Sequence, residues 1–416
     1  MKLPYERSTY LLMIFSIAVF AVFAFVADGI SASISGMLAL QIHPARLIND
    51  YTAIGGTGGA LLNAAVLGII TLSVIKWTAT TMSGPTVAAV FTVMGFALFG
   101  KTPLNSVPIM LGVFVASRIA GKPMRSYILM ALFGTALGPL VTMLAFETGL
   151  GIAYSITLGI MGGMTAGLLL PALAMAMLRM HEGFNLYNLG LTCGFFGLFA
   201  ASLLGASGQD ISIQVIWNDQ PGMELLLLIP TLSLLFLIWG LAMDGKKTFG
   251  NLRAIYRESG RLPSDFMESV SAGASLVNAG MLGLAFSAYL MLIGADINGP
   301  VIGGLMTVIG FATFGKHARN CWPVSLGVIT ATLVFGELLT APGPVLALLF
   351  ATTLAPLAGE FGILIGFAAG FTHLIMVLRT AAWHGGIDLY NNGFAGGLTA
   401  TFFVAIIQWA RSLKES

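Results

Sequence analysis

Charge is what this 416-residue chain has least of. Charged residues make up 9 % of it and hydrophobic ones 57 %, with a mean hydropathy of +0.92. Soluble domains carry about 25 % charged residues, so a water-facing globular surface is excluded. The net charge of +2 leaves no basic face for a nucleic acid. Cysteine is scarce as well. Cys193 and Cys321 lie far apart, in or beside apolar segments, which argues against a disulfide framework or a metal site. The alternating strands of a β-barrel are missing. So are a nucleophile–base pair, a metal-ligand cluster and a phosphate loop, so the chain is not read as an enzyme.

Apolar runs fill the space that charge leaves. A bilayer-spanning helix needs roughly 20 mostly apolar residues, and such runs recur at about 9–27, 57–77, 82–99, 104–120, 124–146, 152–179 and 185–206. They recur again at about 224–243, 275–295, 297–315, 320–337, 342–358, 360–381 and 388–410. The chain reads as an all-α polytopic membrane protein with roughly 10–14 transmembrane segments. The first run follows MKLPYER, lacks a small-residue cleavage site and leads to Asp28, so it reads as a retained span rather than a signal peptide.

The two sets of runs are copies of one unit. MSGPTVAAVFTVMGFALFGKTPLNSVPIMLGV (82–113) aligns without gaps on INGPVIGGLMTVIGFATFGKHARNCWPVSLGV (297–328). A constant offset of 215 pairs Asn63 with Asn278, Lys101 with Lys316 and Asp50 with Asp265. Past an indel the offset is 203, pairing His181 with His384 and Asn188 with Asn391. The repeats are drawn as 1–222 and 223–416, with a linker near 244–262 inside the second.

Lys and Arg favour cytoplasmic loops. The linker carries Lys246, Lys247, Arg253, Arg257 and Arg261, the tail Arg411 and Lys414, and the N-terminus Lys2 and Arg7, whereas 207–223 has Asp210 and Asp219 and no cation. All three basic stretches share a side only if each repeat crosses an odd number of times, which makes the topology inverted. Inverted repeats form transport sites near the midplane. The segments 31–41, 104–120 and 320–337 are candidates for re-entrant half-helices, which are allowed where they are buried in protein.

Several polar phrases are candidates for a site. FGKTPLNSVP and FGKHARNCWP each make a turn into a helix N-terminus that suits an anion or a carbonyl. They bring Lys101, Asn105, Lys316 and Asn320, the lysines either near opposite mouths or snorkelling to headgroups. Asn63 and Asn278 sit among small residues and serve either as interhelical glue or as path lining. HEGFNLYNLG (181–190) and HGGIDLYNNG (384–393) supply Asn185, Tyr187, Asn188, Asp388, Tyr390 and Asn391. The spacing of three places Asn185 with Asn188, and Asp388 with Asn391, on one helical face. Helix capping is the alternative. His373 lies deep in a span and its repeat mate is apolar; it is either a lone His satisfied by a backbone carbonyl or the candidate for ion coupling. Glu147, Glu337 and Glu360 fall near span ends.

KTPLNSVPIMLGV, FNLYNLGLTCG and IDLYNNGFAGG resemble motifs of the urea-transporter fold, which membrane subunits of the sodium-pumping and ferredoxin-linked NADH oxidoreductases share. The paired L-P-x-x-T-x-P-F signature of the urea transporters is not in this chain. As a whole the chain looks like a duplicated bacterial membrane family of unknown function. SGPT at 83–86 resembles the S-G-A-T site at which the oxidoreductase subunit carries phosphoester-linked flavin, which would make Thr86 an attachment point; otherwise no cofactor is implied.

The leading expectation is a channel or transporter for a small polar solute, urea- or amide-like or a small ion, with its path between the repeats. A flavin-bearing subunit of a redox complex and a lipid-handling membrane enzyme are the alternatives. The expected partners are the solute and the lipid bilayer, with a homo-oligomer left open. The expected location is a bacterial inner membrane with both termini cytoplasmic.

Overall fold

A computed structural model describes residues 5–415 of the chain, Lys2 of the basic N-terminus lying outside them. Among the described residues the only β feature is an isolated bridge between Asn49 and Ile216. The first repeat contributes α1 (Glu6–Gln41), α2 (Gly56–Trp77), α3 (Gly84–Phe96), α4 (Pro103–Ile119), α5 (Ile128–Phe146), α6 (Ile152–His181) and α7 (Asn188–Ala206). The second contributes α8 (Met223–Asp244), α9 (Ala272–Ile293), α10 (Gly299–Phe311), α11 (Ala318–Val334), α12 (Pro342–Phe361), α13 (Ile363–Trp383) and α14 (Asn391–Glu415). Ten helices among the described residues are long and apolar enough to cross a membrane, five in each repeat.

Local chemistry sets the breaks. Gly29 adopts φ 75° and ψ 170°, so 31–41 is the bent far arm of α1 and not a separate re-entrant helix. Asp28, just before the bend, accepts from Gly58 N at 2.7 Å and so caps the start of α2. Asp244, at the end of α8, accepts from Ala274 N at 3.1 Å at the start of α9. Gly84-Pro85, Pro103, Gly299-Pro300 and Pro342 open helices where a missing N–H costs nothing. Pro139 and Pro356 interrupt α5 and α12, each just after a 3-10 turn.

α3 and α4 form a re-entrant hairpin, as α10 and α11 do. Residues on both sides of the α2–α3 turn, at the start of α5, at the end of α6 and in 262–268 line one cavity, so they share one end of the molecule. Helix α4 stops at Ile119, five residues before Met124 opens the turn into α5, and so leaves at the end where α3 entered. At the opposite end Asp50 N donates to Ile216 O at 3.0 Å, and Trp217 Nε1 donates to Asp296 Oδ2 at 2.9 Å. There the turn after α1, the 207–222 loop and the turn between α9 and α10 meet. Helix α2 therefore finishes at the linker end while its mate α9 finishes at the loop end, so the repeats are inverted. Five candidate spans per repeat is an odd number, as an inverted arrangement requires.

The repeats interlock along their inner hairpins. Helix α3 is buried almost throughout and α10 wholly, and they run antiparallel with glycines in contact. A Cβ on Gly95 would lie 3.0 Å from Gly303 Cα. Each hairpin tip reaches the other's start, where Thr313 Oγ1 donates to Gly84 O at 3.0 Å. Without a hydrophobic driving force between helices in lipid, such close backbone contact is what holds them.

Candidate functional site

The phrase shared by 181–190 and 384–393 is one folded motif made twice. Asn185 N–H donates to His181 Nδ1 at 3.3 Å, so the ring proton sits on Nε2 and is donated to Asn188 Oδ1 at 2.9 Å. The second copy repeats this with Asp388, His384 and Asn391 at 3.3 and 3.1 Å. Asn185 Oδ1 accepts from Tyr187 N at 3.1 Å, and Asp388 Oδ1 from Tyr390 N at 2.9 Å. These are turns closed by the side chain, and α7 and α14 begin only at Asn188 and Asn391. Asn185 and Asp388 thus lie in the turn before the helix and do not share a helical face with the Asn three residues on. The expectation of a common face fails because the side chain bonds its own backbone instead.

Each motif docks on the opposite repeat. Leu389 N donates to Ala136 O at 3.0 Å, in the break of α5, and Leu186 N to Thr353 O at 3.1 Å, in the break of α12. Docking carries each tyrosine to a lysine of the other repeat. Lys101 Nζ donates to Tyr390 OH at 2.5 Å and to Thr135 Oγ1 at 2.8 Å. Lys316 Nζ donates to Tyr187 OH. Each Nζ also lies over its tyrosine ring, 4.4 Å from the centroid at Tyr390 and 4.6 Å at Tyr187. Neither lysine is near a mouth or snorkels, since both are 0 % exposed. Hydroxyls and aromatic faces replace the water they give up.

The amides fall into two groups. Asn63 Nδ2 donates to Ala97 O and Lys101 O, both at 2.8 Å, and Asn278 Nδ2 to Ala312 O and Lys316 O at the same distance. Each ties down the carbonyls between the two helices of a hairpin. Asn105 and Asn320 close capping boxes with Thr102 and His317 and bond Gly100 O and Gly315 O at 2.9 and 3.0 Å. None of these four amides lines the cavity. Of the residues singled out by sequence, Tyr187, Asn188 and Tyr390 do, with Thr86 on the wall. The Thr86 hydroxyl is held in a capping box, accepting from Ser83 N at 2.7 Å and donating to Ser83 O at 2.8 Å. His373, fully buried, donates from Nε2 to Asn392 Oδ1 at 3.1 Å, and Asn392 lines the cavity. Among the described residues no three His, Cys, Asp or Glu side chains cluster as metal ligands.

The cavity encloses about 950 Å³ between the repeats. At its floor it touches both members of several mated pairs, among them Thr92 and Thr307, Phe96 and Phe311, Tyr187 and Tyr390, Gly190 and Gly393. The floor therefore lies on the pseudo-two-fold axis. At the mouth it touches only one member of each pair. Ser83, Glu182, Leu262 and Ser264 line it, while their mates Asn298, Gly385, Leu47 and Asn49 do not. Those mates are covered by the 207–222 loop. Asn298 Nδ2 donates to Asn218 O at 3.0 Å, Ile216 bridges to Asn49, and a Cβ on Gly385 would lie 2.1 Å from Ile211 Cγ2. Arg46 pins the loop further, pairing with Glu147 and donating to Asp210 O at 3.5 Å. Sequence reasoning missed the floor threonines and phenylalanines and the sealing loop. The threonines could have been found, since Thr92 and Thr307 are identical mates within the aligned repeat.

No curated protein and no solved structure matches this chain. A family model described as "Protein of unknown function (DUF1576)" matches residues 30–206 and again 244–409, once in each half. The matches span most of the sequence, and the chain belongs to that duplicated family.

Proposed function

We propose that this protein is a transporter of a polar organic solute, with its path between the inverted repeats and access alternating between the two ends. The observation that carries the reading is the asymmetry of the cavity: its floor is shared by both repeats, while its mouth belongs to the linker end alone. An inverted repeat can exchange the roles of its halves, opening the loop-end mouth as the linker-end mouth closes. Thr92, Thr307, Asn188, Asn392 and the two tyrosines offer hydrogen bonds to the solute, while Phe96, Phe311 and Phe350 hold its apolar body. A volume of about 950 Å³ admits solutes well beyond the size of urea. The linker end, with its basic residues, faces the cytoplasm of a bacterial cell.

The test combines accessibility and flux in liposomes, in a background with Cys193 and Cys321 replaced by Ala. Ser83→Cys reacts with a membrane-impermeant maleimide from the linker side, and Asn298→Cys does not react from the loop side. Flux of a panel of amides, amines and weak acids is expected to fall in Asn188→Leu. Thr307→Cys reacting equally from both sides would convert the reading to an open channel, and a sealed Ser83→Cys with no flux would end it. The competing reading is a flavin-bearing redox subunit, which rests on Thr86 at the cavity wall. A flavin absorbance band in purified protein that is lost in Thr86→Ala would establish it.

A further inference from the structure

The two copies of the tyrosine motif differ at one buried polar position, where Asn185 becomes Asp388. Both side chains are 0 % exposed. Asn185 is satisfied on every side. Its Oδ1 accepts from Thr353 Oγ1 at 2.5 Å and from Tyr187 N at 3.1 Å, and its Nδ2 donates to Gly393 O at 3.2 Å. At Asp388 the Oδ1 accepts from Tyr390 N in the same way, which puts Oδ2 where Asn185 has its amide nitrogen. Oδ2 has no hydrogen-bond partner. The hydroxyl that helps hold Asn185 is also gone, because the mate of Thr353 in the aligned Thr-x-Leu-x-Pro turns is Ala136.

An amide NH₂ is a donor, an ionised carboxylate oxygen only an acceptor, and a protonated one a donor again. The mate of Gly393 is Gly190, and by the repeat symmetry a carbonyl there would suit a donor and repel an anion. A buried polar atom without a partner is costly, and more so if charged. The place is built for a carboxyl that carries a proton and can lose it. Four titratable groups surround it: Lys101 from the first hairpin tip, Cys193 from α7, and His384 and Tyr390 from its own motif. His384 Nδ1 is occupied as an acceptor of Asp388 N, so it does not serve Oδ2.

We infer that Asp388 is the proton-binding site of this protein, taking a proton on Oδ2 in the linker-open arrangement and releasing it as the docked motif moves off the break in α5. Release leaves a carboxylate within electrostatic reach of the Lys101 side chain, the group there that can carry a compensating proton. Calling this proton the coupling ion rests on the transporter reading; the existence of the site does not.

Infrared difference spectra of the full-length protein in liposomes, taken between alkaline and acidic buffer, test it. On acidification the wild type is expected to show a protonated-carboxyl stretching band from Asp388, read as the component, beyond that of the other acidic residues, that is missing from Asp388→Asn. The double variant Asp388→Asn/Ala136→Thr rebuilds the arrangement around Asn185, so it folds as the wild type does and also lacks the band. A band that persists in the double variant overturns the assignment. Solute flux without the band removes this site and spares the transporter, while the band without flux does the reverse.

Discussion

Replacing Asn63 by Leu tests whether the buried amides are clamps. The two side chains are of similar size, so the change removes hydrogen bonds without leaving a large void. Two carbonyls lose their donor, Ala97 O and Lys101 O, each now bonded at 2.8 Å. Orphaning a buried acceptor costs roughly 1–3 kcal/mol, so the pair predicts about 2–6 kcal/mol. Polar contacts between membrane helices average only about 0.6 kcal/mol in measured cycles, because the unfolded chain finds other partners in the bilayer. The larger figure applies here because both carbonyls lie where α3 ends and its hairpin turns, beyond the reach of the helix's own N–H groups. Reversible unfolding in mixed micelles, followed by tryptophan fluorescence, measures the difference. Asn63→Asp should be destabilised comparably, since an ionised aspartate keeps the shape and donates nothing. A loss below about 0.6 kcal/mol in Asn63→Leu would refute the clamp.

Two further outcomes follow from close contacts. A Cβ on Gly190 would lie 2.6 Å from Gly393 Cα, so Gly190→Val should abolish the monodisperse peak in size-exclusion chromatography. Gly205→Val, whose Cβ would lie 3.7 Å from the Ile211 side chain, should leave that peak intact. Because Asn49 and Ile216 are bridge partners, Asn49→Cys/Ile216→Cys in the cysteine-free background should oxidise to a disulfide that stops flux, with recovery on reduction. Full flux in the oxidised protein would show that the loop does not need to leave.

The duplication, the hydrophobic runs and the odd crossing number were legible because each is a pattern along the chain. The constant offsets of 215 and 203 even named the pairs that the fold makes reciprocal, Asn63 with Asn278 and Tyr187 with Tyr390. Which motif meets which was not legible. Lys101 bonds Tyr390, 289 residues away, only because a hairpin from one repeat inserts beside the docked turn of the other. The lysines were placed near mouths for the same reason: an apolar run ending in Gly-Lys reads as a span reaching headgroups until the hairpin buries its tip.

Symmetry also separates scaffold from work. Whatever is identical in both repeats satisfies the same local need twice: the His ring closing its turn, the Asn clamping a hairpin, the Lys under its Tyr. A carrier built only from such pairs would have two equal states and no driving force to choose between them. The departures supply the bias. The 207–222 loop precedes only the second repeat, so it can close only one mouth. Asp388 replaces Asn185 just where Ala136 replaces Thr353, so one copy gains a titratable group as it loses a donor. His373, whose mate is Leu170, reaches Asn392, whose mate is Leu189, and so puts a second polar pair on the same side of the axis. Two of these differences, at Asp388 and at His373, fall in or against the second motif, so the proposed proton site and its asymmetry would both lie in that copy.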